Sequence, residues 1–233
     1  MRVRSERAHT RAVFFDVDFT LIHPGPAFMG EGYRDFCARH DVRVDPAAFD
    51  RAVAAASVLL DAGGGVYDPQ VFVDYTRRII EGMGGTGPGV AAAAGDIYDE
   101  WAACHHFTLY EDVPDVLRAL HASGIKIGLI SNTQRCLASF QEHFSLQGLF
   151  SVAVSSSDHG YMKPHPSIFE AALRAAKVTA AESVMVGDSL AHDIEGARRL
   201  GMRAVLVVRS GAASLAGPDI PVIESLRQLP ALL

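Results

Sequence analysis

Val13-Phe14-Phe15-Asp16-Val17-Asp18-Phe19-Thr20-Leu21 is the stretch on which the reading of this chain turns. Val13 to Phe15 make a short, β-rich apolar run of the kind that fits a buried parallel strand. Two carboxylates, Asp16 and Asp18, follow at once, and then the hydroxyl of Thr20. In an open α/β sheet, ligands sit beyond the carboxyl ends of the strands. The run therefore puts two acids where chemistry is expected. Being two positions apart, they can aim at one centre and do different jobs there. An acidic turn without chemistry would use the same residues, because Asp is common in turns. The later segments decide between these readings.

Met1 to Thr10 reads as a loose lead-in, and beyond Leu21 the character of the chain changes. From Pro24 to Phe107, β-branched runs are sparse and apolar residues recur at helical spacing: Phe28, Tyr33, Phe36 and Cys37, then Phe49, Val53, Ala56 and Leu60. Gly63-Gly64-Gly65 and the span from Gly82 to Gly89 break this region. Val71 to Ile80 is expected to be helical, although Val-Phe-Val-Asp-Tyr also has strand character. Val90 to Cys104 makes a further, alanine-rich helix. From Leu109 onward the pattern is regular. Asp112, Pro114 and Asp115 open a helix, with acids near its positive end. Ile125 to Ile130 is a buried-type strand delivering Ser131 and Asn132, and Cys136, Leu137 and Phe140 mark a helix. Phe150 to Val154 is a strand leading into the loop to Pro164, and Pro166 opens another helix. Thr179 and Glu182 have capping-box spacing. Ser183 to Val186 is a strand ending in Gly187-Asp188-Ser189. Leu190 to Leu200 is a helix stopped by Gly201, and Ala204 to Val208 is the last clear strand.

Strands alternating with helices make βαβ units and a parallel sheet. The expected fold is α/β: a Rossmann-like parallel sheet core with helices on both faces, formed by residues 1–22 and 108–233, and an inserted α-helical cap at 23–107. At 233 residues, with 49% apolar and 21% charged positions, the chain has the composition of a soluble globular protein. Its net charge of -6 argues against nucleic acid as the main partner. No apolar run suits a signal peptide or a membrane span. Cys37, Cys104 and Cys136 lack metal-like spacing and read as free thiols in a reducing cytoplasm.

Four strand ends carry polar groups: Asp16, Asp18 and Thr20; Ser131 and Asn132; Lys163-Pro164; and Asp188 with Asp193. One crevice at the carboxyl edge could collect them all. In this order the chain resembles the haloacid dehalogenase-like (HAD) superfamily, in the subgroup with a helical cap after the first motif. The motifs are Asp-Val-Asp-Phe-Thr-Leu (16–21), Ser131-Asn132, Lys163-Pro164 and Gly-Asp-Ser-Leu-Ala-His-Asp (187–193). The resemblance covers Ala12 to about Val208. It departs at Phe19, where the family usually has Gly. If that position needs a positive φ, a bulky Phe is strained. The ring is expected to line the mouth of the site.

The resemblance implies a magnesium-dependent phosphatase acting on a small phosphorylated metabolite through an aspartyl-phosphate. Asp16 would be the nucleophile and Asp18 the general acid and base. Asp16, the backbone carbonyl of Asp18, Asp188 and Asp193 would hold Mg2+. Thr20, Ser131, Asn132 and Lys163 would bind the phosphoryl oxygens. A carboxylate is a poor nucleophile toward a phosphate dianion unless charge is neutralised. Four acids against Lys163 and a divalent cation leave one negative charge before substrate arrives, so the metal is close to obligatory. A 2-haloacid dehalogenase, a phosphomutase, or a catalytically weak binding or regulatory protein on this fold remain alternatives. Asp18 and Asp188 argue against the dehalogenase.

Other features weigh less. Gly82, Gly84 and Gly87 fit a dinucleotide fingerprint but lack a strand before and a helix straight after. Cys104-His105-His106 reads as structural rather than as a zinc site. His192, beside the fourth motif, could touch substrate, but a residue there is more often an exposed helix position. Arg34, Arg43, Arg77 and Arg78 are cap cations that could reach an anionic substrate, although most should be solvated. The protein is expected to be cytoplasmic, a monomer or homodimer, with no membrane partner.

Overall fold

The computed structural model describes residues 9–61, 65–209, 217 and 219–233. In chain order the strands are β1 (Ala12–Phe15), β2 (Ile22–Pro24), β3 (Phe107–Leu109), β4 (Lys126–Ser131), β5 (Phe150–Ser155), β6 (Ser183–Gly187), β7 (Arg203–Val207) and β8 (Val222–Ile223). Six of them form one parallel sheet in the order β5-β4-β1-β6-β7-β8. The chain winds one way from β1 through β4 to β5, then returns to place β6 on the other side of β1. That reversal opens the crevice at the carboxyl ends of β1, β4 and β6.

Strand alternation explains how both faces are covered. Val13 and Phe15 point into one apolar cluster with Val184, Val186, Ile127 and Leu129. Phe14 and Ala12 point into a second with Met185, Ile168, Phe169 and Ala172. Helices α6 (Val113–Ala122) and α7 (Leu137–His143) feed the first; α9 (Pro166–Ala176) and α10 (Gly196–Arg199) feed the second. A short turn, α8 (Ser156–His159), follows β5 and stops at Gly160, whose φ is 86°.

Between β2 and β3 lie α1 (Gly30–Ala38), α2 (Phe49–Ala56), α3 (Val58–Asp61), α4 (Pro69–Gly82) and α5 (Gly89–Glu100). The helical reading of Val-Phe-Val-Asp-Tyr holds, since α4 contains it: Asp68 caps α4 through the Gln70 N–H and Pro69 begins the first turn. β2 and β3 pair antiparallel, Ile22 opposite Leu109 and Pro24 opposite Phe107, so the inserted helices leave and rejoin the core through one small ribbon. Neither ribbon strand nor β8 was expected from the sequence. All are short, with two or three residues each, below the length at which alternation becomes readable. The rejection of a dinucleotide loop holds because helix α4, not a strand, precedes Gly84 and Gly87, although α5 does follow at Gly89; the two glycines turn between these helices with φ values of 94° and 96°. Gly63, Gly64 and the first eight residues lie outside the described ones. One helix was expected from Leu190 to Leu200. Instead a π-helical turn, Leu190–Glu195, precedes α10, and such wide turns recur at functional sites.

Candidate active site

Asp16 leaves the end of β1 and is 7% exposed. Lys163, in the loop after β5, is buried and donates from Nζ to Asp16 at 2.5 Å and to Asp193 at 2.6 Å. The wide turn at 190–195 carries Asp193 inward, where its other oxygen accepts the Ser189 N–H at 3.0 Å. Gly187 makes this possible: a Cβ there would stand 2.2 Å from the Asp193 carboxylate. Carboxylate oxygens of Asp16, Asp188 and Asp193 all lie within 4.8 Å of one another. The Asp188 residue is exposed, but its carboxylate faces this group and accepts from the Thr20 hydroxyl at 3.4 Å.

Burial first, and then charge crowding, sets the titration of these carboxylates. Burial pushes the Asp16 carboxyl up to about 6, with Lys163 pulling down and Asp193 pushing further up. Withdrawal from water, then the charges of Asp16 and Asp193, hold Asp188 well above the ordinary carboxylate range. For Lys163, burial favours loss of the proton, yet Asp16 and Asp193 outweigh it and raise the pKa.

The expected phosphate ligands separate in role. The Ser131 hydroxyl is buried at the end of β4 with no hydrogen-bond partner among the described residues. A buried orphan hydroxyl is costly unless a ligand answers it. Asn132 instead clasps the Lys163 backbone, donating to its carbonyl at 2.9 Å and accepting its N–H at 2.7 Å. Thr20 is fully buried, its hydroxyl directed at Asp188 and its carbonyl taken by Arg209 at 2.8 Å.

Asp18 is held by a residue that the sequence reading missed. Arg135, buried in the loop after β4, donates from Nη1 to both Asp18 oxygens, at 2.9 and 3.1 Å. Its other amino group donates to the Trp101 carbonyl of the inserted helices, and its plane lies over the Phe107 ring. Even so, burial outweighs Arg135 and keeps the Asp18 pKa raised. A signal existed: Arg135 is the sole Lys or Arg between Lys126 and Lys163. Asp112 was also read too simply. It stands at the α6 N-cap position without bonding that helix. Its Oδ2 instead accepts from Arg209, Ser225 and the Leu226 N–H at 2.6 to 2.7 Å. That knot binds the C-terminal segment to the Thr20 turn.

Phe19 adopts a φ of 61°, in the left-handed region, and also lines the cleft. The ring lies where it was expected, and the position does take a positive φ. His192 lines the cleft as well rather than standing free of it. Arg34, Arg77 and Arg78 pair with neighbouring acids, and Arg43 is exposed. His105 and His106 gather around Glu100, a partner that the sequence did not reveal, with His106 Nε2 2.9 Å from its carboxylate. The three cysteines are free. No helix among the described residues is long and apolar enough to cross a membrane.

A family model described as haloacid dehalogenase-like hydrolase matches residues 10–201. The haloacid dehalogenase-like hydrolase domain-containing protein 3 of Danio rerio is 30% identical over 97% of this chain and 98% of its own length. The ribulose-1,5-bisphosphate 5-phosphatase of Halopiger xanaduensis is 29% identical, over 84% of this chain and 83% of its own. Among solved structures, the putative HAD-hydrolase YfnB from Bacillus subtilis, bound to magnesium, superposes with a TM-score of 0.78. It covers 97% of this chain and 99% of that one at 19% identity.

Proposed function

The chain belongs to the haloacid dehalogenase-like hydrolase family, and from that premise we propose that it is a magnesium-dependent phosphatase of a small organic phosphate, working through an aspartyl-phosphate. Residues 1–22 and 108–233 form the catalytic core, and 23–107 form the cap that covers the cleft. The observation that carries the reading is the convergence of Asp16, Asp188, Asp193 and Lys163 beside the orphan hydroxyl of Ser131. The bisphosphate named for the Halopiger relative is a phosphate ester too.

The donor set fits a hard divalent cation, since three carboxylates offer oxygen alone. Asp16, Asp188 and Asp193, with the Asp18 carbonyl, would hold magnesium. When bound, it supplies charge neutralisation at the phosphoryl oxygens. The charge balance also improves on the sequence-based count. Four carboxylates face Lys163 and Arg135, and a divalent cation brings the site to neutrality before substrate enters.

Asp16 attacks phosphorus in line, and the bond to the leaving oxygen breaks. Lys163 fixes the Asp16 carboxylate and offers its charge to the phosphoryl group; Ser131 donates to a phosphoryl oxygen. Asn132 works through Lys163 by clamping its backbone. Asp18, with its raised pKa, gives its proton to the departing alkoxide and takes one back from the water that opens the aspartyl-phosphate. Arg135 then stabilises the Asp18 carboxylate in the interval between these transfers. Release of phosphate from p-nitrophenyl phosphate should require magnesium and stop on chelation. Asp16→Asn should cut turnover by about 10³-fold or more with an unchanged circular dichroism spectrum. Turnover within tenfold of the parent would refute the nucleophile assignment.

A further inference from the structure

Above Asp18, two residues beyond Asp16, a cavity of about 320 Å³ opens between the strand ends and the cap. Its volume is at the small end for a ligand pocket, and it lies where a leaving group must extend from phosphorus. On the cap side its wall comes from one face of α4 (Val71, Phe72, Tyr75, Ile79), met by Val53 of α2 and Trp101 at the end of α5. Among the described residues no Lys or Arg lines it, and Asp18 and His192 are its only acid and imidazole. Asp18 is already paired with Arg135.

Most polar groups in the wall, the Tyr75 hydroxyl aside, are also engaged. The Thr76 hydroxyl donates to the Phe72 carbonyl at 3.0 Å. The Gln134 amide donates to the Tyr98 carbonyl at 2.6 Å, and the Tyr98 hydroxyl pairs with Tyr67 at 2.8 Å. A polyol would give up its hydration here for few open partners. A second anion would be desolvated with no cation to meet it.

Given the phosphatase reading, we infer that the ester cleaved here carries a single anionic group, the phosphate itself, on an uncharged and largely apolar alcohol. Phosphorylated carboxylates, bisphosphates and bare sugar phosphates are disfavoured by the cap wall. Specificity resides in α2, α4 and α5, while the strand ends accept any phosphate monoester.

Alkyl esters of comparable leaving-group acidity make the test fair. kcat/KM of the wild-type protein with magnesium is measured for benzyl and hexyl phosphate against 2-phosphoglycolate, glycerol 3-phosphate and fructose 1,6-bisphosphate. The expected preference for the apolar esters is about a hundredfold, the scale on which a hydrophobic pocket discriminates. Equal rates, or a preference for the doubly anionic esters, overturn the inference and leave the phosphatase reading intact. Failure to hydrolyse any ester, p-nitrophenyl phosphate included, removes that reading and the inference with it. In Val71→Arg, which places a cation in the wall, the ratio of benzyl phosphate to 2-phosphoglycolate should fall about tenfold or more. An unchanged ratio in the folded variant means that the leaving group does not enter this cavity, and the inference fails. If that variant does not fold, the wild-type panel alone decides.

Discussion

The strand ends and the cap differ in kind where they meet at the cleft, which Asp18 alone of the acids reaches. On the sheet side, behind that lining, Asp16, Asp18, Asp188 and Asp193 face Lys163 and Arg135, and all but Asp188 and Asp18 are buried. On the cap side the lining carries no formal charge. Buried charges need partners at fixed distances, and rigid strand ends supply them. An apolar wall needs only shape and exclusion of water, which helix faces supply. On the proposed reading, the sheet side governs whether a phosphate ester reacts, and the cap side governs which one enters. Perturbing each wall separately should change different observables.

Arg135 joins the two walls, so its loss should be felt most. Arg135→Met leaves Asp18 without its buried counter-charge and the Trp101 carbonyl without its donor. Removing one member of a buried pair costs about 3–5 kcal/mol, to be read from urea denaturation. In the surviving folded fraction the Asp18 pKa, already raised, should rise further. The alkaline limb of kcat/KM should then move to higher pH, because Asp18 keeps its proton longer. A stability loss below about 1 kcal/mol would mean that the pair behaves as a surface ion pair and that the walls are independent.

Gly187→Ala tests the sheet side alone. The new Cβ would collide with the Asp193 carboxylate, which must withdraw from Lys163 and the Ser189 N–H. A displacement near 1 Å typically costs about 10²-fold in rate. The relative preference among esters should stay as it was. If the preference changes instead, the division of labour between the walls is wrong.

Part of the sheet side was legible in the sequence because Asp16, Ser131 and Asp188 directly follow apolar runs whose direction is fixed, whereas Lys163 and Asp193 were singled out by the order of the motifs. Asp16, Ser131 and Asp188 inherit their position from the strand before them. Arg135 was less visible, since a loop residue four positions beyond a strand has no period to place it. The cap wall was hidden for another reason. The helical spacing of Val71, Tyr75 and Ile79 says that one face is apolar, but a core-facing stripe gives the same pattern. Which face meets the cleft is settled by packing of α4 between α2 and α5, and no local signal carries that. The Asp112 knot is similar: its partners lie about a hundred residues away.

That knot offers a gentler test, through pH. Burial alone would raise the Asp112 carboxyl, but hydrogen bonds from Arg209 and Ser225 outweigh it and hold the pKa below the ordinary value. A folded pKa below the unfolded one adds stability above the unfolded value, and this is lost as pH falls through the folded pKa. Asp112→Asn should therefore cost about 1.5–3 kcal/mol near neutrality, the range for hydrogen bonds to a charged group. The gap from wild type should narrow below about pH 4. A gap independent of pH would show that the charge is not what ties the C-terminal segment to Thr20.

Phe19 contributes to both walls, and its replacement should have the smallest effect on stability. Its backbone belongs to the sheet side, where the Asp16-to-Thr20 turn demands a φ of 61°. Its ring, 44% exposed, belongs to the cap side, where it faces Trp101 at 6.3 Å. A left-handed conformation costs a side chain about 1–2 kcal/mol, while glycine adds about 0.5–1 kcal/mol of unfolded-chain entropy. These nearly cancel, so Phe19→Gly should shift stability by less than about 1 kcal/mol. Its kinetic signature should instead be a raised KM for benzyl phosphate at near-constant kcat, since only an apolar contact with the leaving group is lost. A fall in kcat with KM unchanged would mean that the ring supports the geometry of Asp16 and Asp18, placing Phe19 with the sheet side rather than the cap.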